Sequence, residues 1–280
     1  MIETIVDSMG VSGEGAAIQR IQTAHRLKLI QFWEIPQGAK VLEIGCGQGD
    51  TTAALAYTVG ASGRVHGIDI ASPDYGSPLT LGEACSRLMA SELGRQIQIQ
   101  FETDILSPEV DFSEGAFDYI VFAHCAWYFQ SAEQLRKTLS KIRPWGKKLC
   151  LAEWDIRVSI PEQLAHYNAV MIQAQCEAFK QSSLSNVRTL FSPLDLKEIA
   201  RSAGWHVEQE TSVYSPDLQD GEWEVAMTLE MYPEEIAAIT EIPGKFKELM
   251  LSQIGQLKER AEMGKVKPLS VFTFTAGGTS

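Results

Sequence analysis

The stretch Val41-Leu42-Glu43-Ile44-Gly45-Cys46-Gly47-Gln48-Gly49-Asp50 leaves this chain few folds to choose from. A short apolar run that stops in a glycine cluster and resumes as Thr51 to Val59 reads as strand, tight turn and helix, with Asp50 as the expected N-cap. Glycines at such a turn let the backbone approach a ligand closely, and the helix start behind them offers unpaired N–H groups. The alternation then continues. Arg64 to Ile70 reads as a second strand, a Pro/Gly loop at 71–78 leads into a helix from Leu79 to Leu93, Ile97 to Phe101 is a third strand and Phe117 to Ala123 a fourth. Ser131 with Gln134 predicts a capping-box start for a helix to Ile142, and Lys148 to Ala152 is a fifth strand. Strands that are apolar almost throughout, alternating with helices of about 10–15 residues, imply an α/β fold with a parallel sheet covered on both faces.

Around this unit the chain is more helical. Residues 13–34 carry Ile18, Ile21, Leu27 and Ile30 at helical spacing and end at Pro36-Gln37-Gly38, a turn signal. Residues 160–181 read as one long helix or a helix pair. Ser192-Pro193-Leu194-Asp195 opens a helix that ends at Gly204, and Trp205 to Val213 alternates like a strand. Phe246, Leu249, Met250, Ile254, Leu257 and Ala261 form one face of a further helix, Leu269 to Phe274 reads as a last strand, and the terminal AGGTS as a flexible tail.

With 280 residues, 45% of them apolar, the chain can bury a core without disulfides or a structural metal. Its cysteines, Cys46, Cys85, Cys125, Cys150 and Cys176, form no C-x-x-C pair and no metal-ligand spacing with histidine, so reduced thiols and no metal are expected. The N-terminal MIETIVDSMG carries acids where a secretory signal needs positive charge, and no apolar run approaches the roughly 20 residues of a membrane span, which makes a cytoplasmic location the expectation. Lys and Arg total 24 against 36 Asp and Glu, a net −12 that argues against nucleic-acid or anionic-membrane binding. The acidity is local. Residues 205–244 hold Glu208, Glu210, Asp217, Asp220, Glu222, Glu224, Glu230, Glu234, Glu235 and Glu241 with no Lys or Arg, which reads as a solvated helical face or, more sharply, as an attractor for a cationic acceptor.

A bare G-x-G-x-x-G would suggest a dinucleotide and an NAD-dependent oxidoreductase, but position 50 is Asp, which would repel a pyrophosphate, and Glu43 before the first glycine suits a cationic ligand. Glu43-Ile44-Gly45-Cys46-Gly47-Gln48-Gly49 resembles the first motif of the class I S-adenosylmethionine-dependent methyltransferases, an acid followed by G-x-G-x-G at the end of the first strand. The resemblance covers about residues 36–155 and extends to 192–213 and 269–275, which fit the sixth and seventh strands of that fold. It implies a Rossmann-like, seven-stranded, mostly parallel sheet with helices on both faces and helical cap insertions. The division expected is a cap helix at 1–34, a cofactor-binding core at 35–155 continued at 192–213, cap insertions at 156–191 and 214–268, and a last strand and tail at 269–280.

The resemblance also implies site residues. Gly45, Cys46, Gly47 and Gly49 would pack under the methionine part of S-adenosylmethionine, Asp69 with Ile70 would take the ribose hydroxyls, and Asp104 with Ile105 the adenine. A carboxylate accepting from two vicinal hydroxyls is a strong, oriented pair of bonds. On the residues alone, Cys46 reads as a small packing residue and His66 as a satisfied core histidine.

Ligands of open parallel sheets sit at the carboxyl ends of the strands. His124, directly after the fourth strand, is therefore a cofactor contact and the candidate general base, or a hydrogen bonder without proton transfer. Trp127 and Tyr128 are expected to bracket the sulfonium or an aromatic acceptor, or to pack in the core, and Glu153 and Trp154 to line the acceptor site after the fifth strand. Methyl transfer is a displacement in which alignment does much of the work, so no particular base is obligatory. No N/D-P-P-[FY] follows the fourth strand, no Pro-Cys nucleophile is present and no acidic cluster suits a catechol metal site. The reaction expected is methylation of a small organic acceptor, within the small-molecule or cyclopropane-synthase-like group, leaving S-adenosylhomocysteine as product. The alternative is a binder of the same cofactor with non-methylating chemistry or a regulatory role. The acceptor and the oligomeric state are not legible in the sequence.

Overall fold

The computed structural model describes residues 1–278 apart from 78, 181, 182 and 184. Its strands are β1 (Lys40–Ile44), β2 (Arg64–Ile68), β3 (Ile97–Gln100), β4 (Phe117–Ala123), β5 (Gly146–Asp155), β6 (Trp205–Val213) and β7 (Ser270–Gly278). They form one seven-stranded sheet in the order β3-β2-β1-β4-β5-β7-β6. β1 to β5 pair in parallel, and β7 runs antiparallel between β5 and β6. This is the Rossmann-like, mostly parallel sheet expected.

Period-2 alternation in fully buried strands builds a core on each face. Leu42, Ile44, Ile120, Phe122, Leu149 and Leu151 pack on one side, against α5 (Ala132–Ile142) and α7 (Pro193–Ser202). Val41, Val121, Cys150 and Ala152 pack on the other, against α1 (Ile2–Met9), α2 (Gly13–Trp33), α3 (Asp50–Val59) and α4 (Leu81–Ala90). A third cluster, with Ala169, Ile172, Tyr232, Ile236, Met250 and Leu257, joins α6 (Leu164–Glu177), α8 (Asp220–Ala238) and α9 (Gly244–Met263).

Several local expectations are corrected. Asp50 is the first helical residue of α3, and the N-cap is Gly49 in a left-handed conformation. The helix expected over 79–93 starts two residues later, at Leu81, where Thr80 and Glu83 form a capping box, and it ends at Ala90, followed by a short 3-10 turn at Glu92–Gln96. Ser131 does cap α5, accepting from Gln134 N–H, while the Gln134 side chain reaches Gln130 N–H rather than the cap itself. Ala276, Gly277 and Gly278 of the supposed tail belong to β7, and 279 and 280 lie outside the described residues, as does 181 of the 160–181 helix. Leu249 is 49% exposed and off the buried face of α9, which runs through Phe246, Met250, Ile254, Leu257 and Ala261. α1 was not anticipated. His66 Nε2–H donates to Gln100 Oε1, and the ring packs on Phe112 and Phe117 at the border of the core, partly rather than fully buried.

The acidic segment is not one solvated helical face. Glu208 and Glu210 sit on β6 at the sheet edge, where charge discourages edge pairing, and meet Lys148 and Lys197. Glu235 on α8 pairs with Lys180, and Asp220 and Glu224 face inward.

Connections leave the neighbouring strands β1 and β4 toward opposite halves of the sheet, which opens a crevice at their carboxyl ends.

Candidate functional site

The glycine turn lies in that crevice. Gly45 has φ 75° and donates its N–H to Ile68 O at 2.8 Å, which ties the end of β1 to the end of β2. Gly47 has φ 52°, and a Cβ there would meet nothing within 4 Å, so this peptide borders open space. Asp69 braces it from below: Oδ2 accepts from Gly47 N–H at 2.8 Å and Oδ1 from Ala71 N–H at 2.9 Å. Each oxygen keeps a lone pair for a further donor. Gly49 stands behind this wall as the α3 cap against Leu88 and does not line the opening. Cys46 is buried against Gly67, its thiol pushed up by burial, which fits packing rather than reactivity.

A cavity of about 880 Å³ extends from the turn toward α6 and α8. Glu43, Gly45, Cys46, Gly47, Asp69, Ile70, Asp104, Ile105 and His124 all line it, as do Trp127, Tyr128, Glu153 and Trp154. Ile70 is 64% exposed on this wall and Ile105 is buried, giving this end of the cavity an apolar border. Asp104 is exposed, with Oδ1 accepting from Leu106 N–H. Glu43 is buried, receives Thr52 Oγ1–H at 2.5 Å, and burial pushes its carboxyl up to about 8.

Two expected acceptor contacts have structural work. Glu153 accepts from Ala126 N–H at 2.9 Å and Trp127 N–H at 3.2 Å, so it pins the turn after β4; burial raises it to about 7 against the pull of those N–H groups. Trp127 is buried and donates Nε1–H to Phe191 O. Tyr128 and Trp154 remain more open.

His124 sits at φ 54°, its Nε2 3.2 Å from Nε2 of His25 on α2, and His25 Nδ1 is 3.1 Å from Ser215 Oγ, to which Lys28 Nζ–H donates. Burial holds both imidazoles well below their usual range, so the pair is neutral. His124 Nδ1 has no partner among the described residues and lies 3.9 Å from Glu153 Oε1.

α2 supplies residues that sequence reading missed. Gln19 donates to Asp50 at 2.7 Å, Gln22 donates to Asp220 at 2.7 Å, and Arg26 lines the cavity with a buried Nε that has no hydrogen-bond partner among the described residues. Positions 19, 22 and 26 share one helix face. The available signal was that stripe of polar residues where a covering helix should be apolar. His166 of α6 also lines the cavity and was not singled out. Among the described residues no group of three or more His, Cys, Asp or Glu is arranged to hold a metal ion, and no helix is long and apolar enough to cross a membrane.

These buried groups set a pH dependence. Glu43, raised to about 8, and Glu153, raised to about 7, bind protons in the folded chain that the unfolded chain has released above about 4.5, so their contribution to stability falls as pH rises from about 4.5 to 8, Glu43 alone accounting for the last unit. The depressed His25, His124 and His166 act oppositely, costing stability below about 6.5. Urea unfolding of the free protein is therefore expected to show a maximum near pH 6.5 and a decline toward pH 8 of about 1 kcal/mol per unit. Glu43→Gln should flatten the alkaline limb; an unchanged limb contradicts the assignment.

Comparison with known proteins agrees with this geometry. Residues 18–210 match the family described as a methyltransferase domain. Methyltransferase phomM' of Diaporthe leptostromiformis is 32% identical over 234 residues, 69% of this chain and 60% of that protein. A demethylmenaquinone methyltransferase of Bacillus mycoides is 27% identical over 152 residues, 54% of this chain and 60% of that one. The chain thus spans about 60% of the length of these curated relatives. The crystal structure of a cyclopropane-fatty-acyl-phospholipid synthase-like protein from Lactobacillus casei superimposes with a TM-score of 0.87 at 36% identity, covering 99% of this chain and 98% of that one.

Proposed function

The chain belongs to the methyltransferase-domain family, and on that premise we propose that it transfers a methyl group from S-adenosylmethionine to a small organic acceptor. The observation that carries this reading is one juxtaposition: the Asp69 carboxylate braced by Gly47 N–H, and the unpartnered Arg26 Nε, in the same cavity.

The residues fit the cofactor. Asp69 has one free lone pair on each oxygen for the ribose hydroxyls, Ile70 and Ile105 border the adenine, and Asp104 keeps an oxygen for its amino group. The open side of Gly47 admits the amino-acid portion, whose carboxylate suits Arg26. A buried guanidinium N–H with no hydrogen-bond partner among the described residues is costly, and a carboxylate is its natural complement. When bound, the cofactor supplies a methyl group made electrophilic by its sulfonium. Glu43 and Glu153 hold negative charge in reserve beside that cation, each poised to lose its proton near neutral pH. His124, neutral by burial, lines the cavity with a buried Nδ1 that has no hydrogen-bond partner among the described residues, a group that would orient an acceptor or take its proton. The layer of α6, α8 and α9 serves as the cap that excludes water from the acceptor. The five free thiols suit a reducing, cytoplasmic setting.

Calorimetry tests the cofactor half. S-adenosylhomocysteine is expected to bind, and S-adenosylmethionine to release more protons into buffer between pH 7 and 8, because the two share the same amino-acid charges and only the latter adds a sulfonium cation beside Glu43 and Glu153. No heat from a folded sample, or equal proton release by both, defeats the reading. Formation of S-adenosylhomocysteine from labelled cofactor with an acceptor panel tests the transfer half, and no turnover on any acceptor would favour the non-methylating alternative.

A further inference from the structure

The floor of the cavity beyond the glycine turn is a row of rings. Trp154 lies 4.8 Å from the His124 centroid on one side and 5.1 Å from the His166 centroid, edge-on, on the other. His166 is fully buried and held rigidly. Its Nδ1 accepts Leu269 N–H at 3.0 Å, and the start of α6 is stitched to the same segment by Gln163 Nε2–H to Pro268 O and by Lys267 N–H to Glu162 O. Because Nδ1 is the acceptor, the ring proton resides on Nε2. That N–H is buried, belongs to a residue of the cavity wall, and has no partner among the described residues. An unmade bond at a buried donor is costly, so its retention points to a ligand.

We propose that His166 Nε2–H recognises the acceptor, and that the acceptor is a planar molecule whose carbonyl or hydroxyl oxygen receives this bond while its ring lies against Trp154. The assignment rests on the methyltransferase reading of the cavity. Burial holds His166 down at about 3, so the group stays a neutral donor throughout the physiological range. Such a donor cannot be satisfied by an ammonium group, which has no lone pair, nor by a hydrocarbon chain. Tyr128 and Trp223, also on the wall and both partly exposed, extend an aromatic surface suited to offset stacking.

The test compares two probes of like shape, 2-naphthol and 2-methylnaphthalene, titrated into the full chain with and without S-adenosylhomocysteine. The naphthol is expected to bind roughly 3- to 10-fold more tightly, the ratio of one net hydrogen bond. His166→Asn keeps an acceptor for Leu269 N–H and removes the cavity donor, so it should erase the preference; His166→Gln, which restores an amide donor farther out, should recover part of it. Equal affinities in the wild-type chain, a preference that survives His166→Asn, or no binding of either probe overturns the proposal. A second readout needs no ligand. Nitrogen-15 spectra of histidine-labelled protein should show His166 protonated on Nε2 and not titrating between pH 5 and 8, and the opposite tautomer or a normal titration also overturns it. Failure of S-adenosylhomocysteine to bind would count against the methyltransferase reading, separately from either result.

Discussion

Asp69→Ala is expected to weaken S-adenosylhomocysteine binding about 100-fold or more while the protein remains folded. Two charge-assisted hydrogen bonds to vicinal hydroxyls contribute about 1.5–3 kcal/mol each, which sets that scale. The substitution also removes the acceptor of Gly47 N–H at 2.8 Å and of Ala71 N–H at 2.9 Å, so the turn loses its brace as well as its ligand contact. Asp69→Asn keeps one acceptor oxygen and should fall between, near a tenfold loss. Calorimetric titration beside a circular-dichroism melt separates affinity from folding. Binding within threefold of the wild type in a folded Asp69→Ala sample would remove Asp69 from the cofactor site.

Gly45→Ala should cost both the turn and the protein's stability. At φ 75° an L-residue pays about 1–2 kcal/mol. The new methyl would also stand 2.7 Å from Cys125 Cβ and 3.1 Å from its Sγ. Cys125 cannot easily retreat, since its thiol contacts Ile44 O and it follows His124, itself in a left-handed conformation. Overpacking of this kind adds about 1–3 kcal/mol, for a total near 2–5 kcal/mol in urea unfolding and a turn displaced from its ligand-binding shape. Adding Cys125→Gly relieves the contact but not the φ strain, so it should restore only part of the loss. An unchanged unfolding midpoint in Gly45→Ala would mean that the turn is far softer than its packing implies.

Gly45 and Asp69 were both legible in the sequence. They lie at the ends of β1 and β2, strands announced by local apolar runs, and a strand end is where an α/β sheet binds its ligand. Glu43, Asp104, Ile105 and His124 were placed by the same logic. The corrections arise where a residue's role depends on what packs against it. Glu153 lines the cavity as its position suggests, but that position gave no sign that its carboxylate also braces the chain by accepting from Ala126, Trp127 and Trp154 N–H groups. Gly49 matched a cofactor motif, yet it faces Leu88 behind the wall. Leu249 matched a helical face, yet it stands 49% exposed beside the buried stripe of α9.

Taken by itself, the sequence determined the alternation of strand and helix, the glycine turn with its flanking acids, and hence the sheet and the family to which the chain belongs. These follow from periodicity and backbone sterics, which act over a few residues. Only the tertiary structure decided that Arg26 and His25 of α2 reach across to the strand ends, that Ser215 completes the histidine pair, and that His166, a residue of the cavity wall, keeps a buried N–H with no partner among the described residues. Those contacts join residues about 100 or more positions apart, as in His25 with His124, or His166 with Leu269. No local pattern encodes them, because the burial that leaves Arg26 Nε and His166 Nε2 unpartnered exists only once the separate helices have closed over the sheet.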